Sequence, residues 1–190
     1  MIYFKLQEKG FTLIEMLVAV AIFSIIIGAI IGVFVSAVRT QKYCLAAQQL
    51  LDQTSYAMEY MSRSIRMAKK DLVGDCVLPA GKNYNYIPGL GLMFRNYDSI
   101  KCKGFYLYDG RLYDYERNRA SGESLPLTSA KANMEVKNFN INLLGPDQPP
   151  TDLQQPRVTF LLEIESKKIT PSPKIKIQTT VSQRDLDFQE

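Results

Sequence analysis

A single carboxylate, Glu15, lies near the start of a nearly unbroken apolar run that extends from residue 11 to residue 38. A charged group at membrane depth costs on the order of 2.5 to 3.5 kcal/mol on insertion scales, so such a residue is usually paired and functional. A cation within about 4 to 6 Å would keep the carboxylate ionised and would offset much of that cost. The position of Glu15 therefore predicts that its carboxylate forms an ion pair with a cation that the apolar run itself does not supply.

The residue types exclude much other chemistry. The sequence contains no His, which excludes imidazole general-base catalysis and His-ligated metal sites. No nucleophile with an adjacent base is visible, so we do not expect an enzyme. We expect no cofactor, because Gly89 and Gly91 lack the third glycine of a dinucleotide motif. We expect no metal either, because the spacing of the candidate acids does not match a calcium loop; these acids are Asp109, Asp114, Glu116 and Glu123.

The three cysteines show no C-x-x-C spacing, so a zinc site or a thioredoxin-like motif has no support. Cys76 and Cys102 both follow the apolar run and could pair in an oxidising compartment. The sequence leaves open whether their sulfur atoms meet. Cys44 would be left over.

The formal net charge is +4, with Lys and Arg scattered among acidic residues rather than grouped in a block. This distribution favours a mildly basic solvated surface over a nucleic-acid interface. We therefore expect no nucleic-acid partner.

The apolar run from Phe11 to Val38 holds about 28 residues, and a helix needs roughly 20 to cross a bilayer. A cleaved secretory signal is the first alternative, with residues 35–37 as a possible cleavage site. A secretory signal has less support, because the apolar core of such signals is usually about 7 to 15 residues long and follows a basic segment, whereas this run is about twice as long. A plain membrane anchor is the second alternative. It explains the length of the run but not Lys9 and Gly10 before it, nor Glu15 inside it.

The segment "KGFTLIE", Lys9 to Glu15, followed by the long apolar run, resembles the processing site of type IV prepilins and pseudopilins. This resemblance implies that a prepilin peptidase in the inner membrane cuts after Gly10 and methylates the new amino terminus at Phe11. Residues 1–10 would then be a leader peptide. It also implies that Glu15 pairs with the terminal amine of a neighbouring subunit during filament assembly, which supplies the missing cation. The alternative is that Glu15 serves only a capping box with Thr12.

Small residues recur at every fourth position within the apolar run. Gly28 and Gly32 form a G-x-x-x-G pattern, which permits close approach of helices in membranes. The stripe predicts helix packing, although glycine is also more frequent in transmembrane helices in general. Its members are Ser24, Gly28, Gly32 and Ser36.

A helical period continues beyond Val38, and no proline occurs before Pro79. These features predict a helix from Thr12 to about Lys70, with its second half packed on the rest of the chain. The apolar stripe, which we expect to be domain core, comprises Tyr43, Ala47, Leu50, Thr54, Ala57, Met61, Ile65 and Ala68. The predicted fold class is α+β: a long N-terminal helix, transmembrane over residues 11–38 and amphipathic over 39–70, packed on an antiparallel β-sheet head over 71–190.

Within the head, Gly, Pro and Asn over residues 74–91 predict a connecting loop. Asp109-Gly110 between aromatic-rich runs predicts a hairpin over residues 105–116. Further strands are predicted over residues 91–97, 134–144, 157–166 and 174–183. The hairpin tyrosines are typical of cross-strand pairs, or alternatively of a surface that stacks on sugars or bases; they are Tyr106, Tyr108, Tyr113 and Tyr115.

Beyond about residue 40, the order of long helix, loop and several strands and the C-terminal segment "IQTTVSQRDL", residues 177–186, look most similar to the J-type minor pseudopilins of type II secretion and to the related W-type minor pilins. K-type tip subunits generally lack the acid found at Glu15. The resemblance implies a single-pass inner-membrane subunit with a periplasmic head that helps to initiate or cap a pseudopilus. Its expected partners are prepilin peptidase and other pseudopilins or pilins. The alternatives are a minor type IV pilin, or a membrane-anchored binding module for adhesion or DNA uptake.

Overall fold

The computed structural model describes residues 10–98, 101–117, 122–128, 134–148, 153–167 and 169–185. Within these ranges the chain forms one α-helix and eight β-strands. The elements are α1 (Leu13–Arg66), β1 (Tyr84–Ile87), β2 (Gly91–Arg95), β3 (Cys102–Tyr108), β4 (Arg111–Arg117), β5 (Gly122–Pro126), β6 (Met134–Leu144), β7 (Arg157–Ser166) and β8 (Lys174–Ser182). The α+β class predicted from the sequence is confirmed.

The chain divides into two compact units, residues 1–42 and residues 43–190. The described part of the first unit is mainly the first half of α1, whose apolar side chains are exposed. The exposed fraction is 83% for Leu13 and 73% for Ile25. The backbone polar groups of an α-helix bond to one another within the segment. In this half of α1, therefore, the backbone is satisfied internally while the apolar surface is left uncovered.

In the second unit, α1 buries one stripe of side chains. The predicted stripe is confirmed from Leu50 onward, whereas Tyr43 at its start is 41% exposed. Residues three and four positions apart share one face of a helix, which explains why the stripe is continuous. Its buried members within the helix are Leu50, Thr54, Ala57, Met61 and Ile65; Ala68 is also buried but lies just beyond the end of the helix at Arg66.

The strands of the second unit form two antiparallel sheets. One sheet has the order β1-β2-β3-β4-β5, and the other has the order β6-β7-β8. The predicted hairpin is confirmed: β3 and β4 are joined at Asp109 and Gly110, whose φ angles are +46° and +67°. Positive φ at both central residues is the conformation that matches the twist of paired strands. The strand predictions over residues 134–144 and 157–166 match β6 and β7 residue for residue.

The core of the second unit lies between the buried stripe of α1 and the inner faces of both sheets. The sheet residues of this core include Phe94, Phe105, Phe160 and Leu162, each at most 1% exposed. The Tyr84 hydroxyl, also buried, donates to the carbonyl of Ile65 at 2.8 Å. Full burial of such side chains contributes about 1.5 to 3 kcal/mol each, so this unit holds its own hydrophobic core.

Two sequence predictions about element bounds were wrong, and one strand was not predicted. The predicted loop over residues 74–91 contains strand β1, and β5 was not predicted. The helix ends at Arg66 rather than near Lys70. Two backbone contacts explain this early end: the Arg184 N–H donates to the Arg66 carbonyl at 2.8 Å, and the Lys69 N–H donates to the Arg95 carbonyl at 3.0 Å. The chain thus leaves the helix to pair with strand β2.

Candidate functional site

The N-terminal motif forms a complete capping box at the start of α1. The Thr12 backbone N–H donates to Glu15 Oε2 at 3.0 Å, and the Thr12 hydroxyl donates to the same oxygen at 3.0 Å. The Glu15 N–H donates to Thr12 Oγ1 at 3.3 Å. These reciprocal bonds satisfy N–H groups that have no partner within the helix. The capping box expected from "TLIE" is therefore present, and it fixes where the Glu15 carboxylate lies.

Gly10 and Phe11 directly precede this box and lie outside the helix. In the described part of the chain, a Cβ placed on Gly10 meets no atom within 4 Å. Packing within the chain therefore does not account for glycine here, whereas close approach of another protein to the backbone would. Phe11 is 83% exposed. Residues 1–9 of the predicted leader, including Lys9, lie outside the described residues.

The predicted packing stripe lies on the exposed first half of α1. A Cβ on Gly28 or on Gly32 meets no atom within 4 Å in the described part of the chain, so these glycines are not required by intrachain contacts. The Ser24 hydroxyl donates to the Val20 carbonyl at 2.8 Å. Ser36 offers its carbonyl to the Thr40 hydroxyl at 3.1 Å. The backbone along the stripe is thus accessible to another helix, and the Ser24 hydroxyl already has a hydrogen-bond partner.

In the second unit, Cys76 and Cys102 form a disulfide with their Cα atoms 5.1 Å apart. The bridge ties the segment before β1 to the start of β3. Cys44 is a free and exposed thiol on α1. Disulfides persist in oxidising compartments, which is the setting of secreted and periplasmic domains.

A buried carboxylate that the sequence analysis did not single out, Asp71, organises the segment around Cys76. Asp71 is fully buried. Its oxygens accept the backbone N–H groups of Gly74, Cys76 and Val77 at 3.1, 2.8 and 2.8 Å. They also accept Arg95 Nε at 3.1 Å and Nη2 at 2.8 Å. Sequence reasoning had no signal for this cluster, because Arg95 is 24 residues away in the chain.

Two opposing effects act on the pKa of Asp71. Burial alone would raise it, but the N–H groups of Cys76 and Val77 and the guanidinium of Arg95 outweigh burial, so the pKa lies below its ordinary value. Asp71 is therefore an anion with several donors, which is how a fully buried charge is tolerated. The cluster therefore holds the segment around Cys76 in place.

A second buried ionic cluster joins α1 to the hairpin. The Tyr60 hydroxyl donates to Asp114 Oδ2 at 2.5 Å, and Lys103 Nζ lies 2.8 Å from the Tyr60 oxygen and 3.2 Å from Asp114 Oδ2. Burial opposes the charge on Lys103, yet Tyr60 and Asp114 raise its pKa overall. Burial and Asp114 also raise the pKa of Tyr60. Both groups keep their protons, so neither is activated as a base or nucleophile.

The hairpin tyrosines form cross-strand pairs. The Tyr106 and Tyr113 rings stack with centroids 5.3 Å apart and an interplanar angle of 13°, and Tyr108 meets Tyr113 edge-on at 6.4 Å. A Cβ on Gly122 of the next strand would lie 2.8 Å from the Tyr115 hydroxyl oxygen and 3.0 Å from the nearest ring carbon, so glycine leaves room for this ring. These contacts favour the interpretation that the tyrosines stabilise the sheet.

Among the described residues, no group of three or more Cys, Asp or Glu side chains is placed to hold a metal ion. Of the acids weighed as calcium ligands, Asp114 lies against Lys103 and Glu116 pairs with Lys101. The remaining two, Asp109 and Glu123, lie in the hairpin turn and on β5.

The layout of one long apolar N-terminal helix followed by antiparallel sheets is pilin-like. In the described part of the chain, α1 is the helix long and apolar enough to cross a membrane. Residues 5–37 match the family model described as the prokaryotic N-terminal methylation motif. No curated protein and no solved structure matches the chain. The motif supports a pilin-type subunit that is processed by prepilin peptidase and anchored by its helix.

Proposed function

We propose that this protein is a minor pseudopilin, a structural subunit without enzymatic activity that helps to initiate or cap a type II secretion pseudopilus. In this proposal, prepilin peptidase cuts between Gly10 and Phe11 and methylates Phe11. The observation that carries the proposal is the order of features at the N-terminus. An exposed glycine–phenylalanine bond directly precedes a capped helix whose single early carboxylate is followed by an apolar surface.

The capping box gives Glu15 a defined position before any subunit docks. All three bonds involve Thr12, which lies beside the amine that cleavage would create at Phe11. In the assembled filament, the Glu15 carboxylate pairs with the terminal amine of a neighbouring subunit. The stripe of Ser24, Gly28, Gly32 and Ser36 then packs against adjacent helices, with the head of the mature subunit in the periplasm. A carboxylate fixed by its own helix loses little freedom on pairing, so it favours one docking register.

Two substitutions distinguish the proposed pairing role of Glu15 from simple helix capping. Glu15→Gln keeps a capping-box side chain but removes the charge, whereas Thr12→Ala removes the cap and keeps the carboxylate. We expect Glu15→Gln to be cleaved normally but to fail to enter filaments. Thr12→Ala should be cleaved normally and should enter filaments less efficiently than wild type but far more efficiently than Glu15→Gln, because it loosens the carboxylate without removing it. Immunoblots of cleaved chain and of sheared filaments measure the two steps.

Normal incorporation of Glu15→Gln would contradict the pairing role and leave capping as the function of Glu15. Mass spectrometry of the amino terminus tests processing itself: the expected chain begins with a methylated Phe11. A chain that still begins at Met1 in cells containing the peptidase would refute the proposal.

Assignment to secretion rather than to pili needs a deletion strain. We expect loss of specific proteins from the medium with surface pili intact. Loss of pili with secretion unchanged would instead identify a minor type IV pilin, the W-type alternative to the J-type assignment.

A further inference from the structure

The four outer strands of the two sheets differ in how their free edges are protected. In the described part of the chain, these outer strands are β1 and β5 in one sheet and β6 and β8 in the other. A free edge presents unpaired N–H and C=O groups that can pair with another chain. Proteins blunt such edges with short strands, prolines, charged side chains (lysine above all), bulges or covering segments.

Three of these edges carry such features. Strand β1 has 4 residues, and β5 has 5 residues and ends at Pro126. Strand β6 has a bulge between Val136 and Asn138. The Val136 N–H also donates to the Gly110 carbonyl at 2.8 Å, so β6 is tied to the hairpin. None of these three strands offers a long edge that is regular throughout, since β6 pairs regularly with β7 beyond its bulge only from Asn138 to Leu144.

Strand β8 does offer one. Its 9 residues contain no proline, and they pair with β7 in continuous register from Lys174 to Ser182. Along the described residues, no backbone hydrogen bond from another segment reaches the side of β8 that faces away from β7. Within the described part of the chain, the backbone edge of β8 is therefore unpaired, and its exposed lysines, Lys174 and Lys176, restrict it to partners that they do not repel.

The inward side chains of β8 leave the core partly open. Ile175 and Ile177 are half-buried, whereas Ile164 and Leu162, their partners on β7, are fully buried. A further strand beside β8 would cover this apolar surface, and each Å² removed from water contributes about 25 cal/mol. The inward face of such a strand would accordingly be apolar.

The outward side chains of β8 determine which charge is preferred on a strand added beside it. Lys174 and Lys176 are exposed and lie opposite Glu165 and Glu163 of β7. The side of β8 away from β7 has no described strand to supply further acids. Opposite charges on neighbouring strands stabilise a sheet and like charges destabilise it, so acidic side chains are preferred beside these lysines.

We propose that β8 is a strand-addition site for an extended segment of a partner protein. The segment alternates apolar residues, which cover Ile175 and Ile177, with acidic residues, which lie beside Lys174 and Lys176. Backbone hydrogen bonds supply the binding, and the alternation supplies the specificity. This interaction goes beyond the proposed assembly role and does not depend on Glu15 or on cleavage.

The experiment uses the full chain in detergent micelles and a short capped peptide that alternates glutamate and valine. A peptide that alternates lysine and valine is the control. Hydrogen exchange resolved by residue should show slower exchange at alternate amides of β8 when the glutamate peptide is bound, because only alternate N–H groups point to the added strand. The lysine peptide should bind more weakly.

Lys176→Gln should weaken binding of the glutamate peptide by roughly two- to five-fold, the range of one cross-strand charge pair. Lys137→Gln is the matched control, since Lys137 is an exposed lysine on β6, the opposite edge of the same sheet; it should leave binding unchanged. The comparison of the two peptides on the unmodified chain tests the charge preference without any substitution.

Three outcomes would overturn the proposal. One is equal binding of both peptides or no binding of either. Another is protection that falls on β1, β5 or β6 instead of β8. The third is the same alternate protection of β8 without peptide, rising with protein concentration, which would make a second copy of this chain the occupant.

Discussion

Two isoleucines on the same helix show how differently its two halves are built. Ile25 in the first unit is 73% exposed, and Ile65 in the second unit is 1% exposed. The first half of α1 is apolar on all sides and needs an apolar medium or partner helices, whereas the second half is apolar along one stripe and needs a single covered face. The arrangement of apolar residues, rather than their number, therefore decides what each half requires.

Because the second unit holds its own packed core, substitutions of groups buried there should lower its free energy of unfolding. We expect the largest decrease when the buried Asp71 is replaced. Asp71→Ala removes the buried acceptor that three backbone N–H groups share with Arg95, so it should lower the free energy of unfolding by about 3 to 5 kcal/mol. Urea unfolding of the full chain in detergent, followed by tyrosine fluorescence, measures this. Asp75→Ala is the control, because the Asp75 side chain is 48% exposed and contacts the same Arg95 at 3.3 Å; it should cost less than about 1 kcal/mol.

The pH dependence of the stabilisation by Asp71 follows from the direction of its pKa shift. The pKa of Asp71 is lowered in the folded chain relative to its ordinary value of 3.8. Its stabilising contribution is therefore complete above that ordinary value and is lost as the pH falls through the lower, folded pKa. The difference in stability between wild type and Asp71→Ala should be constant near neutral pH and should shrink in acid. A difference that stays the same well below pH 3.8 would argue against an ionised Asp71.

The two isoleucines provide a direct test of the comparison. Ile65→Ala removes buried methylene and methyl groups and should lower the free energy of unfolding of the second unit by about 2 to 5 kcal/mol. Ile25→Ala should change it by less than about 0.5 kcal/mol, because Ile25 is exposed and lies outside that core. The same urea experiment measures both. Equal effects would mean that the two halves do not differ as their exposure indicates.

A smaller effect is expected at the start of the first half. Thr12→Val removes the capping hydroxyl but keeps the shape of the side chain, and should weaken the first turn of the helix by about 1 kcal/mol. Thr12→Ser keeps the hydroxyl and should have little effect. Hydrogen exchange of the first helical amides in detergent reports this locally. Loss of protection in both variants, or in neither, would show that the hydroxyl does not set the helix start.

The smallest effect concerns the tyrosine pairs of the hairpin. Tyr113→Leu removes the stack with Tyr106 and should lower the free energy of unfolding of the second unit by about 0.2 to 1 kcal/mol. The binding-module alternative makes a different prediction, namely loss of a sugar or nucleic-acid ligand with stability unchanged. Unfolding curves together with binding of single-stranded DNA and of oligosaccharides separate the two.

Local patterns predicted the helix, the hairpin and the capping box, because each depends on residues close together in the chain. The period of three and four residues located the buried face of α1, and Asp109-Gly110 located the turn. Strand β5 was missed because "GESLP" has little intrinsic preference for a strand and is held by pairing with β4. Strand β1 was missed because the Gly, Pro and Asn residues around "YNYI" predicted a loop across the whole segment.

The polar clusters of the head were beyond sequence reasoning for a different reason. Tyr60 and Asp114 are 54 residues apart, and Asp71 and Arg95 are 24 residues apart. No spacing rule connects such residues until the sheet order is known. The N-terminal methylation motif was accessible from sequence because its residues lie within one continuous stretch of the chain.

The disulfide between Cys76 and Cys102 also determines how the chain would carry a mechanical load. Tension applied along the backbone would enter the bridge at one cysteine and leave at the other, so the intervening segment, with β1 and β2, would bear none of it. The two cysteines are 26 positions apart. At up to 3.6 Å per residue, the bridge therefore prevents about 90 Å of backbone from being extended. Until the bridge is reduced, a pulled chain would therefore reach an extended length about one seventh shorter than its 190 residues allow.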